Sequence, residues 1–131
     1  MAGERPDIRM SPAEIDDLVG SERRVVVVGV KQDGPIATIG SAEVVGEHKW
    51  RVTLWAADEV AEVLAADDRI CMLVESFPSY YEIRGVVARG RARQQGVQGG
   101  SFGFELQPDH VVSFDFAKLP RQGPGSGRTP P

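Results

Sequence analysis

The feature that most constrains this chain is a run of four valines, Val25-Val26-Val27-Val28, followed by Gln32-Asp33-Gly34-Pro35. Branching at Cβ crowds a helix and suits a pleated strand. An Asp-Gly pair after such a run supplies the residues that accept positive φ in a tight hairpin. The chain is therefore predicted to turn back, with Ile36 to Val45 as the partner strand. A second turn over Gly46-Glu47-His48-Lys49 returns it as Trp50-Arg51-Val52-Thr53-Leu54-Trp55. Alternation puts Trp50, Val52 and Leu54 on one face and Arg51, Thr53 and Trp55 on the other.

Ser11-Pro12-Ala13-Glu14 has a Ser cap, Pro at the first helical position and Glu three residues after the cap, so a short helix is expected over about Pro12 to Val19, with Gly20 as its stop. Asp58 can cap a second helix whose apolar stripe is Val60, Val63 and Leu64, ended by Asp67-Asp68. Ile70 to Glu75 reads as a fourth strand, Tyr81 to Gln95 as a long fifth strand that its glycines bend, and Ser101 to Gln107 as a sixth. His110 to Phe116 is extended. One helix between strands does not make a parallel α/β sheet. The order fits a mainly β (α+β) fold, a six- to seven-stranded antiparallel barrel with short flanking helices. Residues 1–10 are expected as a flexible leader and 11–119 as the barrel domain. Residues 120–131, rich in Pro and Gly and without large apolar side chains, are expected as a disordered tail.

Charge narrows the function classes. A net charge of −4 over 131 residues argues against an electrostatic grip on nucleic acid or an anionic membrane. No apolar run has the length of a spanning helix and the first residues lack the apolar core of a secretory signal, so a soluble, cytoplasmic protein is expected. Cys71 is the sole cysteine and is read as a buried small hydrophobe within Ile70-Cys71-Met72-Leu73-Val74. His48 and His110 have no ligand partners at metal-site spacing, so no metal is expected. Asp16-Asp17 and Asp67-Asp68 are read as solvated ends. No Gly-x-Ser-x-Gly elbow or phosphate cradle is present, and no residue is assigned as catalytic.

Two features carry recognition chemistry. In Pro78-Ser79-Tyr80-Tyr81-Glu82-Ile83-Arg84-Gly85, alternation would put Tyr80, Glu82 and Arg84 on one face and Tyr81 and Ile83 on the other. An Arg beside aromatic rings stacks on a planar ligand or binds an anion; the competing reading pairs Arg84 with a surface carboxylate. Trp55, at the end of its strand beside Ala56-Ala57-Asp58, serves as core, interface or a ring-stacking wall.

Taken in order, four segments resemble the pyridoxamine 5′-phosphate oxidase-like split-barrel family, especially its small flavin and deazaflavin members. These are Met10-Ser11-Pro12-Ala13-Glu14-Ile15, the strand-turn-helix unit from Trp50 to Arg69, Tyr81-Glu82-Ile83-Arg84-Gly85-Val86 with Arg89-Gly90-Arg91-Ala92, and Val111-Val112-Ser113-Phe114-Asp115-Phe116-Ala117-Lys118-Leu119. The resemblance implies a homodimer with a cofactor in a groove at the dimer interface: usually FMN, sometimes the deazaflavin F-420, and heme in some relatives. It implies cofactor contacts from Thr53, Trp55 and Asp58 around the turn, and from Tyr80, Tyr81 and Arg84 across the interface. The reaction implied is hydride transfer between the cofactor and a small-molecule substrate.

The sequence departs from the family where a Ser and a Lys or Arg commonly hold the cofactor phosphate. Asp58, Glu59 and Val60 stand there instead. A like-charge pair at 4 Å costs about 1–4 kcal/mol between water and a surface dielectric. Arg51, Arg69 or Arg84 then supplies the missing cation, or the ligand differs, or the cofactor has been lost. The alternative function is a non-catalytic split-barrel dimer that binds another small ligand, such as heme, or serves as an interaction scaffold.

Overall fold

In the computed structural model, which describes residues 6–79 and 82–120, the valine run lies in the first strand of a sheet that closes on itself. Strand β1 (Arg24–Lys31) turns through Gln32-Asp33 into β2 (Gly34–Gly46), and β3 (Lys49–Trp55) follows through Glu47-His48. β4 (Arg69–Ser76), β5 (Arg84–Gln98), β6 (Ser101–Leu106) and β7 (His110–Asp115) complete the sheet. Every pairing is antiparallel in the order β4-β1-β2-β3-β6-β5-β7, and β4 also pairs with β5. Six strands thus form a ring, and β7 lies on β5 beside it. β5 spans this junction: Arg84–Arg91 serve β4 and β7, and the residues from Ala92 onward serve β6. Gly96, at φ 102, lies where the β5–β6 register shifts, a conformation that side chains rarely adopt. This is a split barrel.

Strand alternation fills the interior. Val25 and Val27 of β1, Trp50, Val52 and Leu54 of β3, Ile70, Met72 and Val74 of β4, and Phe102, Phe104 and Leu106 of β6 are buried in one cluster. Helix α1 (Pro12–Glu22) adds Ile15, Leu18 and Val19, and α2 (Glu59–Leu64) adds Val60, Ala61 and Leu64. The α1 start carries the expected capping box, with Glu14 N–H on the Ser11 hydroxyl and Ser11 N–H on the Glu14 carboxylate. The helix does not stop at Val19. It runs through Gly20 to Glu22, and Arg23, at φ 65, ends it by donating to the Val19 carbonyl at 3.1 Å. The Leu18 carbonyl accepts the Ser21 hydroxyl and the Val19 carbonyl the Arg23 amide, and these bonds carry the last turn past Gly20 despite its weak helix preference.

Several expectations are corrected. Asp16 is no solvated end: its carboxylate accepts the Trp50 indole N–H at 2.9 Å and the His48 amide at 3.0 Å, tying α1 to the β2–β3 turn. Cys71 is not core. It points outward from β4 between buried Ile70 and Met72 and is half-buried, which pushes its thiol up despite nearby Arg89. The fifth strand starts at Arg84 rather than Tyr81, because Glu82 N–H donates to the Ser79 carbonyl and Ser79 Oγ to the Glu82 carboxylate, closing a turn. Strand alternation therefore does not relate Glu82 to Arg84. Tyr80 and Tyr81 lie outside the described residues, as do residues 121–131 of the expected tail. Within the stretch expected as a leader, the Ile8 carbonyl accepts the Asp115 amide at 2.8 Å, and buried Met10 donates its amide to Ser113 Oγ at 2.9 Å.

Candidate functional site

The outer faces of β2 and β3 carry small side chains at Ala37, Ser41 and Thr53, and these make a platform. With Ser101 on β6 they line an open groove of about 690 Å³, and Ile39 and Trp55 also belong to its lining. Trp55 is 79% exposed. That excludes the core reading of its ring and leaves an indole free beside the platform. Gly40 lets the two strands approach: a Cβ there would lie 2.6 Å from Leu54 Cδ2 and 2.8 Å from the Thr53 carbonyl oxygen. The register Ser41 opposite Thr53, and Trp55 opposite Ser101, fixes which small residues meet.

Asp58 lines the groove as well. Its Oδ1 accepts the Val60 amide at 2.8 Å, capping α2 as expected, and its Oδ2 accepts the Thr38 hydroxyl at 2.5 Å. Among the described residues, Asp58 is the one ionisable side chain in the groove's lining. The next residue, Glu59, pairs with Lys31.

Of the residues expected to bind a cofactor, Thr53, Trp55 and Asp58 are brought together. Arg84 lies outside the lining of this groove, opposite Ser76 of β4 and Asp115 of β7. Tyr80 and Tyr81 lie outside the described residues. Two of the three arginines expected to supply a cation are engaged elsewhere. Arg51 donates to Glu43 at 3.0 Å and Gln95 at 3.1 Å. Arg69 clasps Asp67 at 2.6 Å, and those hydrogen bonds hold the Asp67 carboxyl down at about 2. Sequence reasoning missed Thr38, Ala37, Ser41 and Ser101, whose only sign was the run of small residues in the second and sixth strands. Among the described residues no group of three His, Cys, Asp or Glu side chains converges to hold a metal, and no helix is long and apolar enough to cross a membrane.

An apolar row crosses the outer surface next to the groove. Ile39 of β2, Val26 of β1, Leu73 of β4, Val87 of β5 and Val112 of β7 stand opposite one another in register, forming one row across five strands. Ile39 is 65% exposed and Val112 54%. Ile39 belongs both to this row and to the groove.

No protein-family model and no curated protein matches the chain. Solved structures do. A conserved hypothetical protein from Mycobacterium tuberculosis has a TM-score of 0.74 at 24% identity, over 96% of this chain and 99% of that one. A candidate pyridoxamine 5′-phosphate oxidase from Corynebacterium glutamicum has 0.68 at 10% identity, over 91% and 98%. A FAD-binding protein from Mesorhizobium loti has 0.67 at 12% identity, over 81% and 93%. What they share with this chain is the fold, so the split barrel expected from the resemblance is present.

Proposed function

We propose, starting from this pyridoxamine 5′-phosphate oxidase-like split barrel, that the chain is a homodimeric protein whose groove binds the planar ring of a flavin (FMN) or deazaflavin (F-420) cofactor. The observation that carries the reading is the exposed Trp55 indole standing beside a platform of small side chains. A flat ring lies on such a platform without displacing side chains, and an aromatic wall stacks on it. The fold's similarity to a protein named as FAD-binding supports the same reading.

The ring fits these residues; its phosphate does not. A phosphate at the α2 start would meet the Asp58 carboxylate, with the Val60 amide and Thr38 hydroxyl already committed to Asp58 and Lys31 to Glu59. When bound, such a ring supplies the hydride chemistry. The chain's share in this oxidoreductase reading is to hold the ring flat and shield one of its faces, leaving the other to a small-molecule substrate. No protein nucleophile is required.

The apolar row supports the homodimer. A contiguous apolar strip of this kind marks an association surface, and its shared residue Ile39 would set the second copy against the groove. In this reading Arg84 reaches the groove only from that second copy.

The test is a titration of cofactor-free protein with FMN and with F-420, following quenching of ligand fluorescence, on protein whose mass is measured by light scattering. Saturable micromolar binding to either cofactor is expected, with Trp55→Ala weakening it about tenfold through loss of a stacking surface worth roughly 1–3 kcal/mol. A dimer that binds neither at a hundred micromolar would overturn the cofactor assignment. It would favour the second reading, a non-catalytic split barrel for another ligand such as heme, or a scaffold. The Asp58 carboxylate in the groove is the feature that favours that reading.

A further inference from the structure

We infer that the groove selects the unphosphorylated form of its ring ligand, with Asp58 receiving a ligand hydroxyl where a phosphate would otherwise sit. This rests on the ring-binding reading above and narrows it. The inference follows from the polar groups around Asp58. Asp58 is half-buried and contributes the only ionisable group that the described residues bring to the lining, a carboxylate whose field water screens incompletely. The two donors within its reach are spent on it: the Val60 amide at 2.8 Å and the Thr38 hydroxyl at 2.5 Å. Glu59 adds a second negative charge next along the chain and takes up the Lys31 cation. α2 spans six residues, too short for its dipole to offset two carboxylates.

A neutral polyhydroxyl chain meets the same groups without conflict. One of its hydroxyls donates to Asp58 Oδ2, and the Thr38 hydroxyl, released from Asp58, donates to the ligand. Each donor then keeps one acceptor, and no like charges are brought together. A phosphate offers acceptors only, to a site whose strongest unfilled capacity is acceptor capacity.

The experiment presents each ring with a free ribityl chain and with its phosphate-bearing side chain: riboflavin against FMN, and the ribityl deazaflavin against F-420. Binding to the full chain is followed by fluorescence quenching. The unphosphorylated member of at least one pair is expected to bind as tightly as its phosphorylated partner or more tightly. Asp58→Asn keeps the helix cap, since Asn caps as well as Asp, and removes the charge. It is expected to tighten the phosphorylated ligand about five- to tenfold, the effect of removing one nearby like charge, and to weaken the unphosphorylated one, whose hydroxyl loses its acceptor at the Oδ2 position. Tenfold tighter binding of the phosphorylated form to the unaltered chain would overturn the inference while leaving ring binding intact, and would point to a cation delivered by a second copy. Failure of all four ligands to bind would overturn the ring-binding reading and this inference with it.

Discussion

The barrel has two outer faces built on the same rule with opposite contents. Across β2, β1, β4, β5 and β7 the register lines up Ile39, Val26, Leu73, Val87 and Val112. Across β2, β3, β6 and β5 it lines up Glu43, Arg51, Glu105 and Arg93, a ladder of alternating sign. Arg51 reaches Glu43 at 3.0 Å, and Lys49 reaches Glu105 at 3.4 Å. β2 contributes to both rows four residues apart. Alternation along a strand sets only what points outward; the character of a face is set by which residues the register aligns. The charged ladder satisfies itself in water, whereas no described residue covers the apolar row. In the proposed dimer, association falls to the apolar face and solvation to the charged one.

The largest expected effect comes from inverting the apolar row. Leu73 lies at its centre, opposite Val26 and Val87. Leu73→Arg places a charge where two copies would meet and leaves an uncompensated buried cation in the complex. The dimer dissociation constant is expected to rise at least a hundredfold, equivalent to about 3 kcal/mol, with an unchanged β-sheet circular dichroism spectrum. Sedimentation velocity at micromolar concentration reads the result. A variant that sediments like the unaltered chain would mean that the row is an ordinary exposed surface.

A smaller effect separates folding from association. Asp16 ties α1 to the hairpin that bears both rows, accepting the Trp50 indole N–H at 2.9 Å. Trp50 is fully buried. Asp16→Ala leaves that N–H without its acceptor and is expected to cost about 1–3 kcal/mol in urea unfolding. Its oligomeric state should match that of the unaltered chain. A large change in association with little change in stability would show that the two faces are coupled through this hairpin.

The same contrast explains what could be read from the sequence. The valine run and the Ser11 capping box act within a few residues and formed as expected; the hairpin formed too, with its turn at Gln32-Asp33 rather than Asp33-Gly34. Thr53, Trp55 and Asp58 were legible as a group because one strand end and one turn hold all three. Ser101 was not, since only the β3–β6 register brings it opposite Trp55. Asp16 was misread for the same reason: its partner Trp50 lies 34 residues away, beyond any local pattern. Gly20 was misread as a stop: the helix runs on to Glu22 and is ended at Arg23 instead.

The smallest expected effect tests the charged ladder. Arg51 is exposed, and exposed ion pairs contribute little because water screens them and both side chains lose freedom. Arg51→Ala is therefore expected to lower stability by no more than about 1 kcal/mol, less at high salt, and to leave the dimer's mass unchanged. Urea unfolding at low and high ionic strength, with light scattering on the same samples, reads both quantities. Loss of the dimer on Arg51→Ala would put the subunit contact on the ladder and leave the apolar row unexplained. With association intact and the small cost fading as salt rises, the ladder's role is confined to keeping its own face in water, and only the apolar row is left to meet a second copy.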